Sequence, residues 1–110
     1  MSLDLTQTVR AFGEGYFNLI RRGADGSLTM STDHWRLETL TAEAFHFAAQ
    51  EEDAPPLVLP LAQVERTAWD RLPKQQQRSQ IRFYLVSGDL WTFSGSFDES
   101  VLPSAEDVRQ

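Results

Sequence analysis

The 110 residues, 41% of them hydrophobic, are enough for one domain with its own core and too few for two. Sixteen acidic against ten basic side chains leave a formal charge of −6 at pH 7, which disfavours nonspecific contact with nucleic-acid backbones and anionic lipid surfaces. Cysteine is absent, excluding disulfides and thiolate metal sites; no run is apolar enough to span a membrane, no signal-peptide layout opens the chain, and residues 1–110 read as a single cytoplasmic domain.

Leu5, Val9, Phe12, Tyr16 and Leu19 recur at steps of four and three, the spacing of one helical face. This predicts a helix from about Asp4 to Arg22. Asp4 caps its start, Arg21 and Arg22 sit at the negative end of its dipole, and Gly23 ends it in a left-handed turn. Gly13 and Gly15 oppose that reading, each costing about 1 kcal/mol relative to alanine in a helix interior. A helix stopping near Phe12 would leave Gly15–Arg22 as a first strand, turning through Gly23-Ala24-Asp25-Gly26.

Two-residue alternation follows, at Leu28 and Met30, then Trp35 and Leu37, then Phe45, Phe47 and Ala49, which reads as three strands with a turn at Asp33-His34. The acidic Gln50–Ala54 stretch and Pro55-Pro56 form a loop. Leu57, Leu59 and Leu61 then alternate toward Val64 and Trp69, and Pro60, lacking a donor, belongs at an edge or bulge. Arg71–Ser79 reads as an exposed connection.

Ser79–Phe97 contains two alternating runs joined at Ser87-Gly88-Asp89, an antiparallel hairpin. A one-residue slip exchanges its faces, so a single apolar face selects a three-residue loop with Leu85 opposite Trp91 and Phe83 opposite Phe93. That face carries Ile81, Phe83, Leu85, Trp91, Phe93 and Phe97. Asp98–Gln110 is a short polar tail, expected to fray. The fold class expected is α+β: an N-terminal helix packed on a strongly curved antiparallel sheet or open barrel of about six strands, over residues 27–97.

From Leu37 onward the order of features resembles the pleckstrin-homology superfold, in particular its small bacterial and GRAM-type members. The residues that carry the resemblance are Leu40-Thr41-Ala42-Glu43-Ala44-Phe45-His46-Phe47, Leu59-Pro60-Leu61-Ala62-Gln63-Val64 and Gly88-Asp89-Leu90-Trp91-Thr92-Phe93. The helix-first order is also similar to a cystatin-like arrangement. The pleckstrin-like resemblance implies docking to protein or lipid and no catalysis. Its phosphoinositide-binding basic cluster has only Arg21 and Arg22, beside Asp25, as counterparts, so a membrane partner is not expected.

Catalytic motifs are not legible. Gly13-Glu14-Gly15 is followed by Asn18 and preceded by no strand, so it is no dinucleotide fingerprint, and there is neither a phosphate loop nor a Gly-x-Ser-x-Gly elbow. His34 and His46 would have to converge with Glu38 or Glu43 to hold a metal, and Glu51-Glu52-Asp53 lacks the ligand spacing of a calcium loop; no metal or cofactor is expected. The function expected is a noncatalytic interaction module that docks a protein partner through the 66–82 region or a sheet edge. Its surface would be Arg66, Trp69, Arg71, Lys74 and Arg78, with Trp69 the tryptophan most exposed. The alternative is a small-ligand or enzymatic domain with an apolar pocket between helix and sheet. Phe12, Tyr16, Trp35, Phe47, Phe83 and Trp91 would line it, and Tyr16, His34 and Glu38 would supply polar groups. A third expectation is a homo-oligomer paired through the edge of the final hairpin.

Overall fold

The structure, a computed structural model, describes residues 2–51, 53–71, 79–95 and 97. It is an α+β fold with one short helix and an open antiparallel sheet. The chain enters through β1 (Ser2–Leu3) and helix α1 (Leu5–Phe12). The Asp4 carboxylate accepts the Gln7 N–H at 2.7 Å, and the Gln7 side-chain oxygen accepts the Asp4 N–H at 3.0 Å, so two donors that a helix start leaves free are satisfied reciprocally. At the other end Gly13, with φ of 54°, donates to the Val9 carbonyl and closes the helix.

The helix therefore stops well short of Arg22, and Phe17–Arg22 is strand β2. Helical spacing carried past Phe12 only because Tyr16 and Leu19 fall on the extrapolated stripe. In the strand, Phe17 and Leu19 point inward by two-residue alternation instead.

Residues Leu28–Leu40 form one 13-residue strand, β3, where two strands and a turn were expected. The register with β2 passes from Asn18↔His34 to Ile20↔Met30, so a bulge in β3 absorbs the irregularity that reads as a turn in the sequence. The chain continues through β4 (Ala44–Ala49), β5 (Leu57–Pro60), a 3-10 turn η1 (Leu61–Gln63), β6 (Val64–Arg71), β7 (Ser79–Leu85) and β8 (Leu90–Gly95). Among the described residues this makes eight strands rather than about six, all antiparallel, in the order β1-β6-β7-β8-β2-β3-β4-β5. Pro60 does lie on an edge strand, as its missing donor requires.

The order forces curvature. In a flat sheet β5 and β6 would stand six strand spacings apart, roughly 29 Å. The three residues of η1 join Pro60 to Val64, a reach of at most about 14 Å even when extended. The sheet must curl to bring its ends together, and α1 supplies the filling of its concave face. Phe12 is 1% exposed, and its ring centroid lies 5.1–6.2 Å from those of Phe17, Phe47, Phe83, Phe93 and Phe97. Burying a phenylalanine side chain contributes about 1.5–3 kcal/mol, so this aromatic centre dominates the stability of the domain.

The final hairpin has the expected apolar face but a different register. Leu85 donates to the Asp89 carbonyl, and Phe83 stands opposite Trp91 and Ile81 opposite Phe93. The loop is Val86-Ser87-Gly88, three residues long and displaced from the expected one. The slip amounts to two residues, and an even slip keeps every side chain on its face. The hairpin is also interior, with β7 against β6 and β8 against β2, so its edges are not available for self-association.

Candidate interaction face

Strand pairing lays the convex, outward side chains of five strands into rows. One row is Leu28, Arg22, Leu90, Tyr84 and Arg66, on β3, β2, β8, β7 and β6 in turn; the next is Met30, Ile20, Thr92 and Arg82, and ends at Ala68, which is buried. At the β6–β7 end of the rows the Arg66 guanidinium lies 3.9 Å from the centroid of the Tyr84 ring, and that of Arg82 lies 5.4 Å from it. Arg82 is ion-paired with Asp70. A guanidinium over an aromatic face is held by the ring quadrupole while its remaining N–H donors stay open to a partner. At the other end of the rows, three strands away, Leu28 and Met30 are 68% and 74% exposed, the two most exposed large apolar side chains among the described residues.

Arg66 reaches this face because of a bulge. The register of β6 with β7 shifts between Val64↔Leu85 and Arg66↔Tyr84. Glu65 is the extra residue, and it reverses the phase of everything after it. Arg66 turns out, while Thr67 and Trp69 turn in, and Trp69 is half-buried against the core cluster. Arg66 and Trp69 thus lie on opposite faces. Arg71 ends β6 opposite Ser79, and Lys74 and Arg78 lie outside the described residues. Most of the described 66–82 segment is strand rather than loop. The aromatic residue set among its arginines is Tyr84, a position the expected surface omitted. Its signal was present, because an inward Ile81, Phe83 and Leu85 make Arg82 and Tyr84 an outward cation–aromatic pair.

The alternative pocket residues do not converge. Trp35 is 8% exposed within the core, His34 is exposed on the opposite side of β3, and Tyr16 follows α1 with the Arg36 guanidinium 5.9 Å from its ring centroid. Phe12, Phe47 and Phe83 meet one another ring to ring and occupy the space between helix and sheet. Glu38 belongs to a separate, open groove of about 450 Å³ beside α1, with Leu5, Val9, Arg10 and Leu40. Among the described residues no group of three or more His, Asp or Glu side chains is placed to hold a metal ion. No described helix is long and apolar enough to cross a membrane.

At the tips of the β2–β3 and β7–β8 hairpins the two turns are tied together, the Ala24 N–H donating to Asp89 Oδ1 at 2.9 Å. Asp25 Oδ1 accepts the Ser27 N–H at 3.0 Å and the Ser27 hydroxyl at 2.7 Å. These bonds, the main-chain one foremost, hold the Asp25 carboxyl below its ordinary value. No family model, curated protein or solved structure matches this chain.

Proposed function

We propose that this chain is a noncatalytic interaction module that docks a protein partner through the outer face of β2, β7, β8 and β6. The observation that carries the reading is the Arg66–Tyr84–Arg82 group, which shares one outer face with Leu90, Arg22 and Ile20 and, at the far end on β3, with exposed Leu28 and Met30. Arginine and tyrosine are the residue types that concentrate binding energy at interfaces, and apolar side chains on the same face supply the desolvated surround. The fitting partner presents carboxylates to Arg22 and Arg66 and an apolar side chain to Leu90 and Ile20. A pleckstrin-like attribution accords with this role, and the helix-first order accords with the cystatin-like one. The pocket alternative has less to support it, since aromatic rings occupy the space it needs.

A photo-crosslinking residue placed at Thr92, within this face, should capture a discrete partner from native lysate, while the same residue at Val58 on the opposite sheet edge should not. The Arg22→Glu/Arg66→Glu variant should keep its melting temperature and lose that adduct. An adduct of the same identity and yield in the double variant would remove the outer face from consideration.

A further inference from the structure

The first half of β3 is an open strand edge. On one side it pairs with β2, at Ile20↔Met30, Arg21↔Thr29 and Arg22↔Leu28. On the other, β4 begins only at Trp35↔Ala49, and the Gln50 N–H to the His34 carbonyl, at 2.9 Å, is the last link to that neighbour. Among the described residues no strand lies along the far side of Leu28–Asp33.

The direction of the main-chain groups follows from the turn. Gly23 donates to the Ser27 carbonyl at 2.8 Å, which makes 23/27 a hydrogen-bonded pair. Bonded and non-bonded pairs alternate along an antiparallel ladder, so Arg21/Thr29 is bonded and Arg22/Leu28 and Ile20/Met30 are not. The N–H and C=O groups of Leu28 and Met30 therefore point away from β2, toward the open side.

Leu28-Thr29-Met30-Ser31-Thr32 contains no proline, lysine or other charge, residues that natural edges ordinarily carry to prevent pairing, and the regular part of the edge runs up to the bulge that follows Met30. Its apolar side chains, Leu28 and Met30, are on one face and largely exposed.

We infer that this edge pairs with the same edge of a second copy of the chain, antiparallel about a two-fold axis at Thr29. That axis places Leu28 against Met30 of the second copy and Met30 against its Leu28. Both are bonded positions, so the segment is complementary to itself in main-chain bonding and in apolar contact, and the two-fold arrangement uses up this edge in both copies. The −6 charge of each copy opposes their approach at long range, and the edge itself, carrying no charge from Leu28 to Thr32, adds no local repulsion to it. The pairing would continue the outer face across the dimer, joining the Leu28, Met30 and Ile20 cluster of each copy.

Sedimentation equilibrium of the intact chain from about 10 µM to about 1 mM should show a monomer–dimer equilibrium that strengthens between about 0.05 and 0.5 M salt, as repulsion between like-charged copies is screened. Met30→Lys should weaken it roughly tenfold or more without shifting the melting temperature, because the side chain is outside the core. The chain has no cysteine, so Thr29→Cys gives a clean second reading: a two-fold axis there brings the two sulfurs together, and oxidation should yield a covalent dimer far faster than for Val58→Cys. A wild type monomeric across the whole range, a Met30→Lys variant that dimerises equally, or equal oxidation of Thr29→Cys and Val58→Cys would each overturn the inference. Capture of a foreign extended strand by a strictly monomeric chain would overturn the choice of occupant.

Discussion

Ala24-Asp25-Gly26 and Val86-Ser87-Gly88 turn their hairpins by the same geometry. In each, the residue before the loop donates to the carbonyl of the residue after it, and the loop's glycine donates back, with φ of 89° at Gly26 and 95° at Gly88. This is a type I turn closed by a glycine bulge, and it needs a residue that tolerates positive φ in third place. The strands that leave these two turns have opposite surroundings. β7 and β8 are flanked on both sides and bury Ile81, Phe83 and Phe93 completely, whereas the tip half of β3 has a neighbour on one side and exposes Leu28 and Met30. Local chemistry made the turns alike, and long-range pairing made one hairpin structural and the other available.

The largest test of that contrast is a pair of truncations. Phe83→Ala, in the ring cluster with Phe12, Phe45, Phe47 and Phe93, should cost about 3–5 kcal/mol in denaturant unfolding, a large share of the stability of a small domain. Met30→Ala should stay within about 0.5 kcal/mol. Similar losses at the two sites would show that the β2–β3 tip is covered in solution even at low concentration.

The turns themselves offer a finer test. Alanine at either glycine should cost about 1–2 kcal/mol for the positive φ. Gly88→Ala should cost more than Gly26→Ala, since its Cβ would stand 3.1 Å from the Cβ of Ala24, while at Gly26 the new methyl meets nothing within 4 Å. Reversal of that order in urea midpoints would mean the two hairpin tips are not in contact.

The smallest effect concerns Asp25. Its folded carboxyl titrates below the ordinary value of 3.8, so the stabilisation it confers is fully present above that pH and is lost as pH falls through the lower folded value. Asp25→Asn should leave the slope of stability against pH unchanged near neutrality and flatten it below about pH 4. An unchanged acid limb in the variant would show that the Ser27 bonds do not persist in solution.

Where sequence reasoning succeeded, the signal was side-chain phase over a few residues. Asp4 as a cap, Pro60 at an edge and the inward face of Ser79–Leu85 are of this kind. It failed at phase changes. The helix was carried past Gly13 because Tyr16 and Leu19 continue a stripe that a strand also satisfies. Trp69 reads as exposed until the bulge at Glu65 is known, since that one extra residue exchanges the faces of Arg66 and Trp69. Of the outer face, the sequence makes Arg66 legible as a basic residue and Tyr84 legible only through the polar phase of β7, where it alternates with Ile81, Phe83 and Leu85.

The residue pattern by itself determined that this chain makes amphipathic strands, an acid-capped first helix and glycine-closed turns, because each depends on contacts within a few residues. Only the tertiary structure decided which strands became neighbours, where bulges reset the phase and which edge stayed open. Those outcomes depend on closing a curved sheet around Phe12, a condition that joins residues far apart in the chain and leaves no local periodicity to read.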